Sequence, residues 1–167
     1  MRIIGVDPGY ERLGVAVVEV GEKGKTELIY STCLTTPKTL SFPERLALLG
    51  AEFEKLLTQY SPDLLAIEEL FFSGNQKTAM KVSEARGVMV YLAMRAGVRV
   101  INLTPLQVKM SITGYGRADK SQVTMMLGKL ISIPKKIKHD DEYDAIAIAL
   151  TGLAHEKQAL IHNQGGH

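Results

Sequence analysis

Residues Met1 to Val20 constrain this chain more than any other stretch. Ile3-Ile4-Gly5-Val6 is a short, largely β-branched run that stops at Asp7, and Pro8-Gly9-Tyr10 turns the chain immediately afterwards. Leu13 to Val20 then supplies Gly14, Val15, Ala16, Val17 and Val18, with no charged residue before Glu19, so it reads as a strand covered on both faces. Such a strand needs packed layers above and below it. A turn aspartate can simply be solvated, but Asp7 at the mouth of a buried strand is also placed to hold a metal or a phosphate. The other acidic positions decide between these readings.

After a turn at Gly21 to Lys25, Glu27 to Thr36 predicts a third strand joined as a hairpin. Ser41 and Glu44 have capping-box spacing with Pro43 in the first turn, and the spacing of Leu46, Leu49, Phe53, Leu56 and Leu57 carries a helix to about Gln59. Ser61-Pro62-Asp63 stops it. Leu64 to Leu70 predicts a buried strand with Glu68 and Glu69 in its second half, and Asn75 to Ala96 a long helix ended by Gly97. The second half of that helix is apolar nearly all round, more than one sheet face needs, which leaves a surface for a partner subunit. Val98 to Leu103 predicts a fifth strand, and three further helices follow: one opened by Thr104-Pro105, one over Ala118 to Ile131, and one from Asp140 to about Lys157 with a frayed tail beyond. The order predicts a mixed five-stranded α/β sheet with helices on both faces, one domain over residues 1–157, and a flexible tail over 158–167. In such a sheet, sites gather at the carboxyl ends of strands, where Asp7 and Glu68 become neighbours.

A chain of 167 residues with 46% hydrophobic content builds its own core. It has no run near the ~20 apolar residues of a membrane span and opens on a strand rather than a leader, so a cytoplasmic location is expected. Cys33 is the one cysteine, which excludes an internal disulfide and reads as a small core residue. Charge is unevenly placed: residues 1–71 carry 7 Lys/Arg against 11 Asp/Glu, residues 72–138 carry 12 against 2, and residues 139–167 carry 1 against 5. The basic middle points to a polyanionic partner, most simply nucleic acid.

The last helix opens with His139-Asp140-Asp141-Glu142-Tyr143-Asp144. The helix dipole accounts for acids in the first turn, but Asp144 lies beyond it, on the face shared with Asp141 and Ile148. Two carboxylates from one helical face and one from each of two strand ends form an all-oxygen pocket, suited to Mg2+ or Mn2+ rather than zinc. Without metal they would repel one another and partly protonate. Beside a basic surface, the coherent use is two-metal hydrolysis of a phosphodiester. Spacing alone leaves Glu68 against Glu69, and Asp140 against Asp141, open.

Five blocks resemble, in order, the crossover junction endodeoxyribonuclease family, RuvC, of the ribonuclease H-like superfamily. They are Ile3-Ile4-Gly5-Val6-Asp7-Pro8-Gly9, Ala66-Ile67-Glu68-Glu69-Leu70-Phe71, Ala85-Arg86-Gly87, Lys120-Ser121-Gln122-Val123 and Asp141 to Ala149. The resemblance covers the chain to about residue 155. It implies a ribonuclease H-like fold and a homodimer that resolves four-way (Holliday) DNA junctions by Mg2+-dependent nicks in two like-polarity strands, leaving 5′-phosphate and 3′-hydroxyl ends during recombination and repair. It implies two Mg2+ per site with Mn2+ as substitute, and the branch-migration complex RuvA and RuvB as partners. The four catalytic, metal-binding acids then fall on Asp7, Glu68, Asp141 and Asp144. Lys109 and Lys120 match lysines near the scissile phosphate, and Phe71 an aromatic that stacks on bases. Arg117 and Lys77 are further DNA-contact positions in the basic block.

His139 precedes the acids and reads as a solvated connector residue, with a role beside bound metal as the alternative. Two other functions fit parts of the pattern: an RNA-processing nuclease resembling the YqgF-type proteins, and a nucleic-acid binding module without catalysis. A sugar-kinase or actin-like ATPase is excluded because the chain is too short for the lobe that closes over ATP.

Overall fold

The computed structural model describes residues 1–21, 24–70 and 76–164. Five strands, β1 (Arg2–Asp7), β2 (Arg12–Val20), β3 (Thr26–Thr35), β4 (Leu64–Glu68) and β5 (Arg99–Leu103), form one sheet in the order β3-β2-β1-β4-β5. β1, β2 and β3 pair antiparallel as consecutive hairpins, while β4 and β5 extend the sheet in parallel. β4 ends at Glu68 rather than at Leu70, although Glu69 N still donates to Leu103 O at 2.8 Å.

Alternation along the strands divides the core. Ile4, Val6, Val15, Val17, Leu65 and Ile67 point to one face, covered by α1 (Phe42–Tyr60) and α2 (Gln76–Arg95). Ile3, Ala16, Val18, Leu64 and Ala66 point to the other, covered by α3 (Pro105–Thr113), α4 (Lys120–Leu130) and α5 (Asp140–Gln164). Three helix starts have a local cause. Glu44 accepts from Ser41 N at 2.7 Å to open α1, Thr104 accepts from Gln107 N at 3.1 Å to open α3, and Asp119 accepts from Gln122 N at 2.9 Å to open α4. The expected start of α4 at Ala118 therefore moves to Lys120, the first residue after the cap. α5 runs beyond Lys157 to Gln164, because Gln158, Ala159 and Leu160 favour helix and no glycine intervenes before Gly165.

The depth at which α5 lies on the sheet is the feature that builds the site. A Cβ placed on Gly5 would stand 2.4 Å from Ala145 O, and one on Gly14 would stand 2.0 Å from Asp141 O. Only glycine leaves room at these strand positions for the helix backbone. The first turns of α5 are thereby pressed against β1 and β2, beside the carboxyl end of β1. Among the described residues no helix is long and apolar enough to cross a membrane.

Candidate active site

Asp7 is the last residue of β1 and Glu68 the last of β4, and the parallel register that pairs Val6 with Ile67 sets them side by side. Asp144 reaches the same place from the second turn of α5. These acids line a cavity of about 360 Å³ together with Lys109 of α3 and Lys120 of α4; Pro105, Val108, Val123, Ala147 and Ile148 complete its wall. The structure therefore gathers three of the four predicted acids and both predicted lysines around one opening.

Asp141 sits one turn earlier on α5, near enough to raise the pKa of Asp7, but its carboxylate turns aside toward β2. Arg12 Nε lies 3.0 Å from its Oδ2, an ion pair without hydrogen-bond alignment that leaves this buried oxygen lacking a donor. Nothing in the sequence spacing marks Arg12 as part of the site. The signal available was a lone arginine opening β2 directly across the turn from Asp7.

Electrostatics show what the cavity lacks. Burial, then Asp144, Glu68 and Asp141, push Asp7 up to about 8 against the opposing pull of Lys120. Burial and then Asp144 push Glu68 up to about 7, opposed by Lys120 and Lys109. Lys120 Nζ donates to Asp140 Oδ2 and Asp144 Oδ2, both at 2.9 Å, and these bonds raise its own pKa. Two lysines leave the carboxylates short of positive charge. An all-oxygen donor set in that condition fits a hard divalent cation, which Asp7, Glu68 and Asp144, with Asp141 alongside, would hold.

Arg86 of α2 belongs to the Ala85-Arg86-Gly87 block. Its Nε donates to Glu68 O at 3.0 Å and its guanidinium also bonds Asn102 Oδ1, tying α2 to the end of the strand that carries the glutamate. Arg117 lies exposed in the loop after α3 and Lys77 exposed in the first turn of α2; neither lines the cavity. Phe71 lies outside the described residues.

The basic block is partly neutralised within the fold. Arg95 pairs with Glu54, Arg99 Nη2 with Glu156 Oε1 at 2.6 Å, and Lys135 Nζ with Glu142 Oε1 at 2.6 Å, all with acids from the flanking segments. Among the described residues, Lys109, Arg117, Lys129, Lys136 and Lys138 enter no ion pair.

The family model for the crossover junction endodeoxyribonuclease RuvC matches residues 3–152. The chain belongs to the RuvC family. A crossover junction endodeoxyribonuclease RuvC from Ruminiclostridium cellulolyticum is 42% identical over 164 residues, covering 98% of each chain. One from Alkaliphilus oremlandii is 43% identical over 150 residues, covering 90% of this chain and 91% of its own. Among solved structures, Thermus thermophilus RuvC in complex with Holliday junction substrate superposes with a TM-score of 0.88 at 31% identity, covering 95% of this chain and 96% of that one. The yeast mitochondrial Holliday junction resolvase Ydc2 shares the fold, with a TM-score of 0.71 at 15% identity over 93% of this chain and 79% of its own. As a RuvC-family member the chain has a ribonuclease H-like α/β fold.

Proposed function

We propose that this chain works as a homodimer that resolves four-way DNA junctions, nicking two strands of like polarity with divalent metal and leaving 5′-phosphate and 3′-hydroxyl ends. One observation carries the reading. Asp7 and Glu68 at two strand ends and Asp144 on α5 surround a single cavity with Lys109 and Lys120, in a family whose members are named as junction endonucleases.

Asp7, Glu68, Asp144 and Asp141 would hold the metal, Mg2+ with Mn2+ as substitute and two ions per site. The chemistry supplied on binding is polarisation of the scissile phosphate and activation of water at neutral pH. The chain's own groups do the rest. Lys109 opposes the negative charge at Glu68 and meets a phosphate oxygen at the cavity mouth. Lys120 exchanges its bond to Asp144 for the same phosphate. The apolar wall from Val108, Val123, Ala147 and Ile148 limits water at the site and so strengthens each charge interaction within it.

Arg117, Lys77 and Phe71 extend the DNA-contacting surface. Exposed Met80, Tyr91 and Met94 along α2 support the homodimer, since a monomer gains nothing by presenting them to water. Cytoplasmic residence and partnership with RuvA and RuvB follow from this reading. The test is incubation of the protein with a synthetic four-way junction and a matched linear duplex, with and without Mg2+. Symmetric nicks confined to the junction and requiring metal support the proposal, whereas equal cutting of the duplex, or cutting without metal, overturns it.

A further inference from the structure

Cys33, His139 and Asp141 bring a sulfur, an imidazole nitrogen and a carboxylate oxygen within 4.8 Å of one another. They meet because of how α5 is seated. Cys33 on β3 pairs across the sheet with Gly14, and the missing side chain of Gly14 lets the first turn of α5 settle there with Asp141 O against it. His139 is fixed at the helix mouth, where its carbonyl accepts from Glu142 N at 3.2 Å. All three residues are half-buried, sheltered yet within reach of an ion, and Asp141 Oδ2 is a buried oxygen without a hydrogen-bond donor.

We infer that Cys33, His139 and Asp141 form a second cation site, distinct in chemistry from the oxygen-lined cavity, that takes a borderline ion of the Zn2+ class. Magnesium avoids sulfur, whereas thiolate with imidazole is the donor set zinc favours. Bond lengths of about 2.0 Å to nitrogen and 2.3 Å to sulfur put tetrahedral donors roughly 3.5 Å apart, so rotation of the side chains closes the present spacing. The Cys33 thiol gives up its proton to solvent as the zinc–sulfur bond forms, and water takes the fourth position. Arg12, whose side chain is 49% exposed, swings away from Asp141 as the ion enters.

Asp141 belongs to both sets, so zinc bound here draws that carboxylate away from the magnesium cavity and inhibits nicking. This inhibitory arm rests on the proposed nuclease reading; the binding arm does not. Titration of the magnesium-free protein with Co2+, a spectroscopic substitute for zinc, tests the site itself. A thiolate-to-cobalt charge-transfer band is expected in the wild type, lost in Cys33→Ser, which has no thiol, and needing roughly tenfold or more Co2+ in His139→Gln. Absence of the band in the wild type, or its retention at full affinity in His139→Gln, overturns the site. Both variants keep magnesium-dependent junction nicking, and Cys33→Ser needs roughly tenfold more Zn2+ for half-inhibition. Equal zinc sensitivity in Cys33→Ser overturns the inhibitory coupling. A wild type that nicks no junction yet shows the band refutes the nuclease reading and leaves the site standing.

Discussion

Lys120 Nζ bridges Asp144 Oδ2 and Asp140 Oδ2 at 2.9 Å each, joining an acid that lines the cavity to one that does not. The bridge forms because Lys120 is the first residue of α4 after its Asp119 cap, facing the first turns of α5. A phosphate entering the cavity offers this ammonium a competing anion. For Lys120→Ala, turnover at saturating junction is expected to fall by about 10²–10³-fold, the loss typical when one preorganised charge aimed at a developing oxyanion is removed. Junction affinity should change far less, because many other phosphate contacts remain. Single-turnover rates read beside gel-shift affinity check this, and unchanged turnover takes Lys120 out of the site.

Asp7 is costly to the folded chain before any metal binds, since burial and three neighbouring acids all oppose its ionisation. Asp7→Asn keeps the shape and removes the charge. Nicking should disappear, junction binding should persist, and the metal-free protein should gain on the order of 2 kcal/mol, seen as a melting temperature higher by several degrees. Thermal scans in a chelating buffer, with cleavage and binding assays on the same preparation, measure all three. A variant that still nicks would mean that Asp7 holds no essential ion.

Asp7 is legible in the sequence because it ends an apolar run, and a strand buried on both faces has few other places for an acid. Spacing alone does not separate Glu68 from Glu69, and only the family resemblance does. The caps at Ser41, Thr104 and Asp119 are local, so the helix starts follow from a few residues each. The seating of α5 is not local. Gly5 and Gly14 matter only because residues far along the chain rest on them, and nothing near either glycine announces it. Arg12 escaped for the same reason. Charge counting along the chain also misses pairings across it, such as Arg99 with Glu156, which spend part of the basic block inside the fold.

Stability and metal response should share one pH window. Asp7 rises from an ordinary 3.8 to about 8 and Glu68 from 4.5 to about 7, so between these limits the folded chain holds more protons than the unfolded one. Stability of the metal-free protein must then fall as pH rises: the contribution is complete below the unfolded values and lost through the folded ones. A divalent cation favours the ionised carboxylates, so the gain in melting temperature from Mg2+ should be small near about pH 5 and largest near about pH 8.5. Paired thermal scans with Mg2+ or chelator across this range decide it; a gain independent of pH would place the ion elsewhere.

Junction affinity should fall steeply with salt, with a slope of roughly −0.7 to −0.9 in log affinity against log salt for each phosphate neutralised. Among the described residues, Lys109, Arg117, Lys129, Lys136 and Lys138 are not committed to ion pairs, unlike Arg95, Arg99 and Lys135. Lys109→Ala should therefore reduce the slope by about 1, while Arg99→Ala should leave it unchanged. Fluorescence anisotropy across a salt series gives both slopes, and identical slopes in the two variants would detach Lys109 from the phosphates.

Two glycine substitutions separate the seating of α5 from ordinary helix propensity. At Gly14 an added Cβ would stand 2.0 Å from Asp141 O, and the backbone of α5 cannot yield without moving Asp141 and Asp144 together. Gly14→Ala should cost about 1–3 kcal/mol by overpacking. It should also slow nicking by about 10²-fold, the scale of a displacement of about 1 Å among reacting groups. Gly128, inside α4, would place its Cβ with nothing within 4 Å. Gly128→Ala should therefore stabilise the chain by about 0.5–1 kcal/mol, through the unfolded state, and leave cleavage as it was. Urea denaturation and single-turnover cleavage of both variants measure the contrast. If Gly14→Ala folds with full activity, the close approach of α5 to β2 is not what aligns the acids.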